Sequence, residues 1–437
     1  MSARARSGFG GGWATLGLAA ALPFVFFACA ADPVKPAAAP ATASAAPAPT
    51  NPVPTATVHA EVSGPAKAAY ARGFAAFQSG DLAAAKQAFS EAGRLDSTAP
   101  APLYSLGTVL EHMGDISGAL QQYKAAVSVK PDDPTAIGAY AMCLASSGHA
   151  SEADSYLSNQ AAKHPNSAPI TTYLAEVKSM ENDSGSAQQL AQDALRMNPD
   201  YRPAMVAIAH DHYRARRVQL ARYALAAILD GNGEANPPRD KDNADAHLIR
   251  GLILEEDGLR AAAMADFDAA RTAKPDQVEA LIHLGVMKLQ AGNVQEATPL
   301  LESAVKFAPT SALAHLNLAD AYRLGSRVAD AKREFDKALS MDSSLAVAHY
   351  DMALLYLFSP NIPGTNAGDQ IATAIHELET YRSMRSTPRP GDDVDELLAR
   401  AQAKQADLKA ASAAPPDSAA PPPPAAPASA AAPAAGK

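Results

Sequence analysis

Pro131, Pro165 and Pro199 stand 34 residues apart, and Pro275 and Pro309 repeat the interval. A fixed period of this length marks a stacked array, because a unit so small cannot bury its apolar face alone and neighbours must bury it in turn. Within one period, "PAPLYSLGTVLEHMGDISGALQQYKAAVSVKP", Leu103, Leu106, Gly107 and Leu110 share one face of a first helix, and Ala119, Tyr123 and Ala126 share one face of a second. Gly114 and Asp115 make the turn between them. Gly107 and Ala119 fall where the two helices cross, and a larger side chain at either place would hold the axes apart. Pro131 then ends the second helix, since it has a fixed φ and no N–H to donate.

These residues resemble the tetratricopeptide repeat (TPR) consensus. The pattern recurs at Gly73, Ala85, Phe89 and Ala92; at Tyr140, Leu144, Gly148 and Ala153; and at Ala175, Ala187 and Ala194. It continues at Ala209, Ala221 and Leu225, then Gly251, Gly258, Ala263 and Phe267, then Gly285, Gly292, Ala297 and Ala304. Leu318, Ala319, Phe335 and Ala338 mark an eighth unit, and Met352, Ala353 and Tyr356 open a ninth. The resemblance implies an all-α fold, a right-handed TPR solenoid of about nine helix-turn-helix repeats.

The array is expected over residues 66–388. Two Gly-, Pro- and Asn-rich stretches break its beat, "DGNGEANPPRDKDN" at 230–243 and "SPNIPGTNAGDQ" at 359–370, and both read as loops leaving the solenoid. An amphipathic helix within 389–411, with its acidic start suited to the helix dipole, reads as a C-terminal cap. The linker at 29–65 and the tail at 412–437 are Pro/Ala-rich with few large apolar side chains, a composition expected to stay disordered.

Residues 1–28 have the layout of an export signal: Arg4 and Arg6 precede an uncharged run from Trp13 to Ala28. Three fates are open to it. Uncut, residues 13–31 would just span a bilayer. Ordinary cleavage after Ala30 would use the small residues Ala28 and Ala30. In the third, the run resembles the signal of bacterial lipoproteins, with Phe26, Phe27, Ala28 and Cys29 in the place of the lipobox, which implies lipidation of Cys29. Ala28 fits that box, whereas Phe26 and Phe27 depart from its usual leucine and small residue. The Pro/Ala stretch that follows would then be a tether reaching up to ~90 Å at ~3.1 Å per residue.

Catalytic and ligand-binding chemistry is sparse. The net charge of −9 comes from interspersed acids and bases, a pattern that argues against a nucleic-acid partner. Asp230, Asn232 and Glu234 alternate like the start of a calcium loop, but Ala235 and Lys241 stand where Gly and Glu are needed. His210 and His212 point to different faces of a helix. Arg214, Arg216, Arg217 and Arg222 form a basic patch without the glycine-rich loop of a phosphate site. Cys143 has no nearby His or second Cys. No catalytic residue, metal, cofactor or small-molecule substrate is expected, and the chain reads as a binding protein rather than an enzyme.

TPR proteins hold peptides or helices of their partners on the concave face made by the first helices, and the resemblance places Tyr70, Phe74, Phe77, Leu248, Leu252, Ile282, Val286, Leu289, Leu316, Tyr350, Leu354 and Leu357 there. The alternative is that these side chains pack between repeats. The carboxylate clamp of some TPR co-chaperones is absent, with Tyr104, Gly138, Thr172 and Val206 among the residues in its first lysine place. The order of parts, with "AIAHDHYRARR", "GEANPPRDK" and "SSLAVAHYDMALLYLFSPN", resembles the TPR lipoprotein of the myxobacterial adventurous gliding-motility complex. That likeness implies a scaffold lipid-anchored in the bacterial envelope, facing the periplasm from the outer membrane and binding other envelope proteins. A pilotin-like assembly factor for a secretin or type IV pilus, and a regulatory subunit of a cell-wall enzyme, are the alternatives.

Overall fold

In the computed structural model the described residues are 62, 64–385 and 393–413. Cys29, the export signal, the linker up to residue 61 and the tail beyond 413 lie outside them. Nine antiparallel helix pairs follow in chain order: α1 (Gly64–Gln78) with α2 (Leu82–Leu95), α3 (Pro100–His112) with α4 (Ile116–Val129), and α5 (Pro134–Ser146) with α6 (Ala150–Lys163). Next come α7 (Ala168–Met180) with α8 (Ser184–Met197), α9 (Arg202–Arg214) with α10 (Val218–Leu229), and α11 (Ala244–Glu256) with α12 (Arg260–Ala273). The last are α13 (Val278–Gln290) with α14 (Val294–Phe307), α15 (Ala312–Leu324) with α16 (Val328–Met341), and α17 (Ala346–Phe358) with α18 (Ala367–Met384); α19 (Val394–Ala413) ends the series.

Each pair is closed by local chemistry that the period already carries. A Cβ added to Gly107 would come within 2.6 Å of the Tyr123 ring, and one added to Gly251 within 2.6 Å of Phe267, so the crossing is too close for any other residue without movement. Asp81, Asp115 and Asp183 cap α2, α4 and α8 by accepting backbone N–H bonds of 2.9, 2.9 and 3.1 Å. The aromatic residues at the pair centres, Phe89, Tyr123, Phe267 and Phe335, are fully buried, and each contributes about 1.5–3 kcal/mol of apolar burial.

Every first helix packs on its own second helix, and most also pack on the first helix of the next pair: α3 on α5, α5 on α7, α7 on α9, α9 on α11, α13 on α15 and α15 on α17. The second helices pack chiefly on their neighbours in sequence. Lateral contact on one side only makes the first helices the inner wall of a curved stack.

The two interruptions are held more tightly than loops leaving the surface would be. Asp230 meets Arg250 at 2.8 Å, Arg239 meets Asp200 at 3.0 Å, and the Asp240 N–H donates to the Ile228 carbonyl at 2.9 Å. The second interruption is shorter than 359–370, because Asn366 already caps α18 and its helix starts at Ala367. Ile362 is fully buried there, and the Gln370 side chain donates to the carbonyls of Tyr356 and Ser359, both at 2.8 Å. Beyond the ninth pair α19 lays Val394, Leu397 and Leu398 against Tyr350, Leu378 and Tyr381, and Asp393 accepts the Tyr350 hydroxyl at 2.8 Å.

Candidate functional site: the inner face of the first helices

Seven of the twelve side chains expected to line the groove, Tyr70, Phe77, Leu248, Leu252, Leu289, Leu316 and Tyr350, are buried in the packed interior. Tyr70 donates to or accepts from Ser105 at 2.9 Å across a repeat boundary, which explains its burial: it joins two pairs. Phe74, Ile282, Val286, Leu354 and Leu357 are half-buried. The inner face therefore offers a partner less apolar surface than a count of its leucines implies.

Polar groups fill the remainder. On α7 and α9, His210 Nδ1 lies 3.1 Å from Glu176 Oε2. Burial alone would raise the Glu176 pKa, yet the charge and hydrogen bond of His210 outweigh it and hold the carboxyl below its ordinary value. His210 is itself buried, and its Nε2 has no hydrogen-bond partner, which leaves one unsatisfied nitrogen on this face. Across α11 and α13, His283 Nδ1 sits 2.6 Å from Glu255 Oε2, with Glu279 Oε1 at 4.0 Å from the other ring nitrogen. Burial lowers the His283 pKa, but the two carboxylates more than reverse this and favour the imidazolium. Glu279 is raised by burial, against the opposing pull of His283 and His210.

At the far end Asp351 faces Asp320 and Arg323. Burial first, and the like charge of Asp320 second, push the Asp351 carboxyl up to about 8 despite Arg323. Asp320 itself is engaged by Arg323 Nε at 2.9 Å.

Glu176, His210, Leu252, Val286, Asp320 and Leu354 occupy one register position of successive repeats. Selecting only the apolar occupants of that position hid the polar ones, although the 34-residue beat places all six on the same strip.

The remaining candidates resolve into structural roles. The arginine patch is tied to carboxylates: Arg216 to Glu256 at 2.9 Å, Arg217 to Asp211 at 2.7 Å, and Arg222 to Asp257. Asp230, the first residue of the acidic run at 230–234, is engaged by Arg250. Cys143 is fully buried, and burial, with the charge of Glu111, pushes its thiol up to about 12. Among the described residues no group of three or more His, Cys, Asp or Glu is placed to hold a metal, and no helix is long and apolar enough to cross a membrane. Chemically the face can hold a ligand by hydrogen bonds, ion pairs and patches of apolar contact.

A family model described as tetratricopeptide repeat matches residues 206–278 and 284–346. Among solved structures, the chain is similar to one in the crystal structure of the APC/C hetero-tetramer Cut9-Hcn1, with 16% identity and a TM-score of 0.51 over 73% of this chain and 59% of that one. The human IFIT1 dimer with PPP-AAAA matches at 14% identity and a TM-score of 0.42, over 77% of this chain and 81% of that one. A fold of this kind is typically a non-catalytic scaffold that binds protein partners, and nothing observed shows enzymatic activity. Over residues 206–278 and 284–346 the helix pairs match the tetratricopeptide repeat, and the described pairs stack into a solenoid of that fold.

Proposed function

We propose that this solenoid is a lipid-anchored scaffold of a bacterial cell-envelope machine, holding other envelope proteins along its inner face. The observation that carries the binding role is that face: half-buried Ile282 and Val286 beside Glu279 on α13, Asp320 on α15, and half-buried Leu354 and Leu357 beside Asp351 on α17. Such a strip suits an amphipathic segment, whose apolar side enters between the polar rungs while its polar groups hydrogen-bond to them. Cys29, at the end of the export signal and ahead of a Pro/Ala tether, supports an anchor in the outer membrane facing the periplasm. The resemblance to the gliding-motility lipoprotein supports motility as the setting.

Crosslinking and affinity purification from the native host tests the reading. Recovery of envelope barrels of a gliding complex supports it, a secretin would favour an assembly factor, and cytosolic chaperones alone would sink export altogether. Intact mass tests the anchor separately: loss of the first 28 residues plus a lipid on Cys29 is expected, whereas a mature chain beginning at Ala31 would remove the anchor and leave the scaffold.

A further inference from the structure

The turns of the first two repeats touch the sixth and seventh. His112, the last residue of α3, places Nδ1 2.7 Å from the Phe307 carbonyl at the end of α14, and its Nε2 lies 3.6 Å from Asp276 Oδ2. A carbonyl only accepts, so Nδ1 carries the proton. Phe77 packs edge-on against both rings, with centroids 5.2 Å from His112 and 6.2 Å from Phe307. Alongside, Gly80 lies so near α14 that an added Cβ would be 3.1 Å from the Lys306 Cβ, and one on Gly114 would be 2.7 Å from the Thr310 hydroxyl. A cavity of about 210 Å³ between Gln78, Ser79, Arg271, Pro275, Lys306 and Phe307 separates the rest of the two surfaces.

These residues are some 165 to 230 positions apart in sequence and belong to repeats that share no stacking boundary. The contact therefore lies outside every stacking boundary between neighbouring repeats. We infer that His112, Phe77, Asp276 and Phe307 form a latch that closes the first seven repeats into one locked turn, so that a bulky partner reaches the inner face through the ends of the turn or through opening of the latch. The contact is small, one hydrogen bond, one polar approach and three rings around a cavity, whereas each repeat boundary is a full helix-on-helix interface. Opening at the latch thus leaves the stack intact.

Two measurements on the full chain test this, both with Cys29 and Cys143 replaced by alanine. Gly80→Cys with Lys306→Cys should form an intramolecular disulfide under mild oxidation, since the two Cβ positions, 3.1 Å apart, need shift by only a few tenths of an ångström to reach the spacing of a bridged pair, about 3.5–4.5 Å. Adding His112→Ala should slow that bridge about tenfold, the scale of one lost hydrogen bond to a buried partner, with helical circular dichroism unchanged. Absence of the bridge in the chain with His112 intact and helicity retained overturns the closure, and an unchanged rate in His112→Ala overturns the latch. Entry is read on Val286→Cys, on α13 inside the turn, which does not disturb Gly80. His112→Ala should raise its labelling by a polyethylene-glycol maleimide about tenfold and leave labelling by N-ethylmaleimide unchanged; equal rates for the large reagent overturn the gating.

Discussion

Leu95, Val129, Met197, Phe307 and Met341 hold one position of the repeat, the last turn of the second helix. Four are exposed, by 47%, 36%, 40% and 42% respectively, and Phe307 by only 5%. The residues just beyond show the same contrast: Asp132 and Asp200 are exposed, while Asp276 is buried. Position within the repeat is equal in every case; what differs is that Phe77 and His112 pack on Phe307 at the end of the seventh repeat and His112 meets Asp276 at the end of the sixth, while Leu281, Ala304 and Ala314 pack on Phe307 from its own side of the stack. A repeat's sequence sets how its two helices meet; the far end of the array decides what its turns meet.

The most severe way to break this comparison is to cut the covered ring. Phe307→Ala should cost about 3–4 kcal/mol in urea unfolding, against about 0.5 kcal/mol or less for Met341→Ala. Equal costs would mean that the turn is open in solution.

Asp351 lies beyond the latched turn and is a control with the opposite sign. Its folded-state pKa, raised to about 8 by burial and Asp320, means that the native chain holds a proton that the unfolded chain gives up from its ordinary value near 3.8. Stability from this group is full below about 4 and declines as pH rises towards 8. Asp351→Asn should therefore gain about 2 kcal/mol at neutral pH and little near pH 4. A gain of the same size at both pH values would assign the effect to shape rather than charge.

Asp276 sharpens the comparison at the latch. Burial would raise its pKa, but His112 and Lys274 overcome this and hold the carboxyl below its ordinary value. Its contribution is present above that ordinary value and is lost as pH falls through the depressed folded one. Asp276→Asn should cost about 1–2 kcal/mol at neutral pH, converging on the parent chain in acid, while Asp132→Asn should be close to neutral throughout.

The smallest effect separates two turns of the same backbone shape. Gly114 and Gly148 have φ of +78° and +89°, where an L side chain is strained, but only Gly114 abuts another part of the chain. Gly148→Ala should cost about 1 kcal/mol from strain, and Gly114→Ala about 1 kcal/mol more from the Thr310 clash. Thermal unfolding of the two variants gives the difference directly.

Much of the fold was legible because its determinants are local. Gly107 beside Tyr123, Ala119 at the crossing, Asp115 at the cap and Pro131 at the stop each act within one period, so spacing alone placed them. The candidate site was legible only in part. Register assigns Leu252 and His210 to the same strip, but whether a side chain there is buried or offered to a partner depends on how closely the neighbouring repeat approaches. Leu252 is covered, and His210 is buried with one nitrogen unsatisfied.

By itself, then, the sequence determined the helix pairs, their period and the face each presents, because side-chain size and capping act over a few residues. Only the tertiary structure decided that His112 meets Asp276 and Phe307. That contact depends on the small rotation between successive repeats, accumulated over some seven of them, and a shift of a few degrees at each boundary would move the two ends apart without altering any single pair.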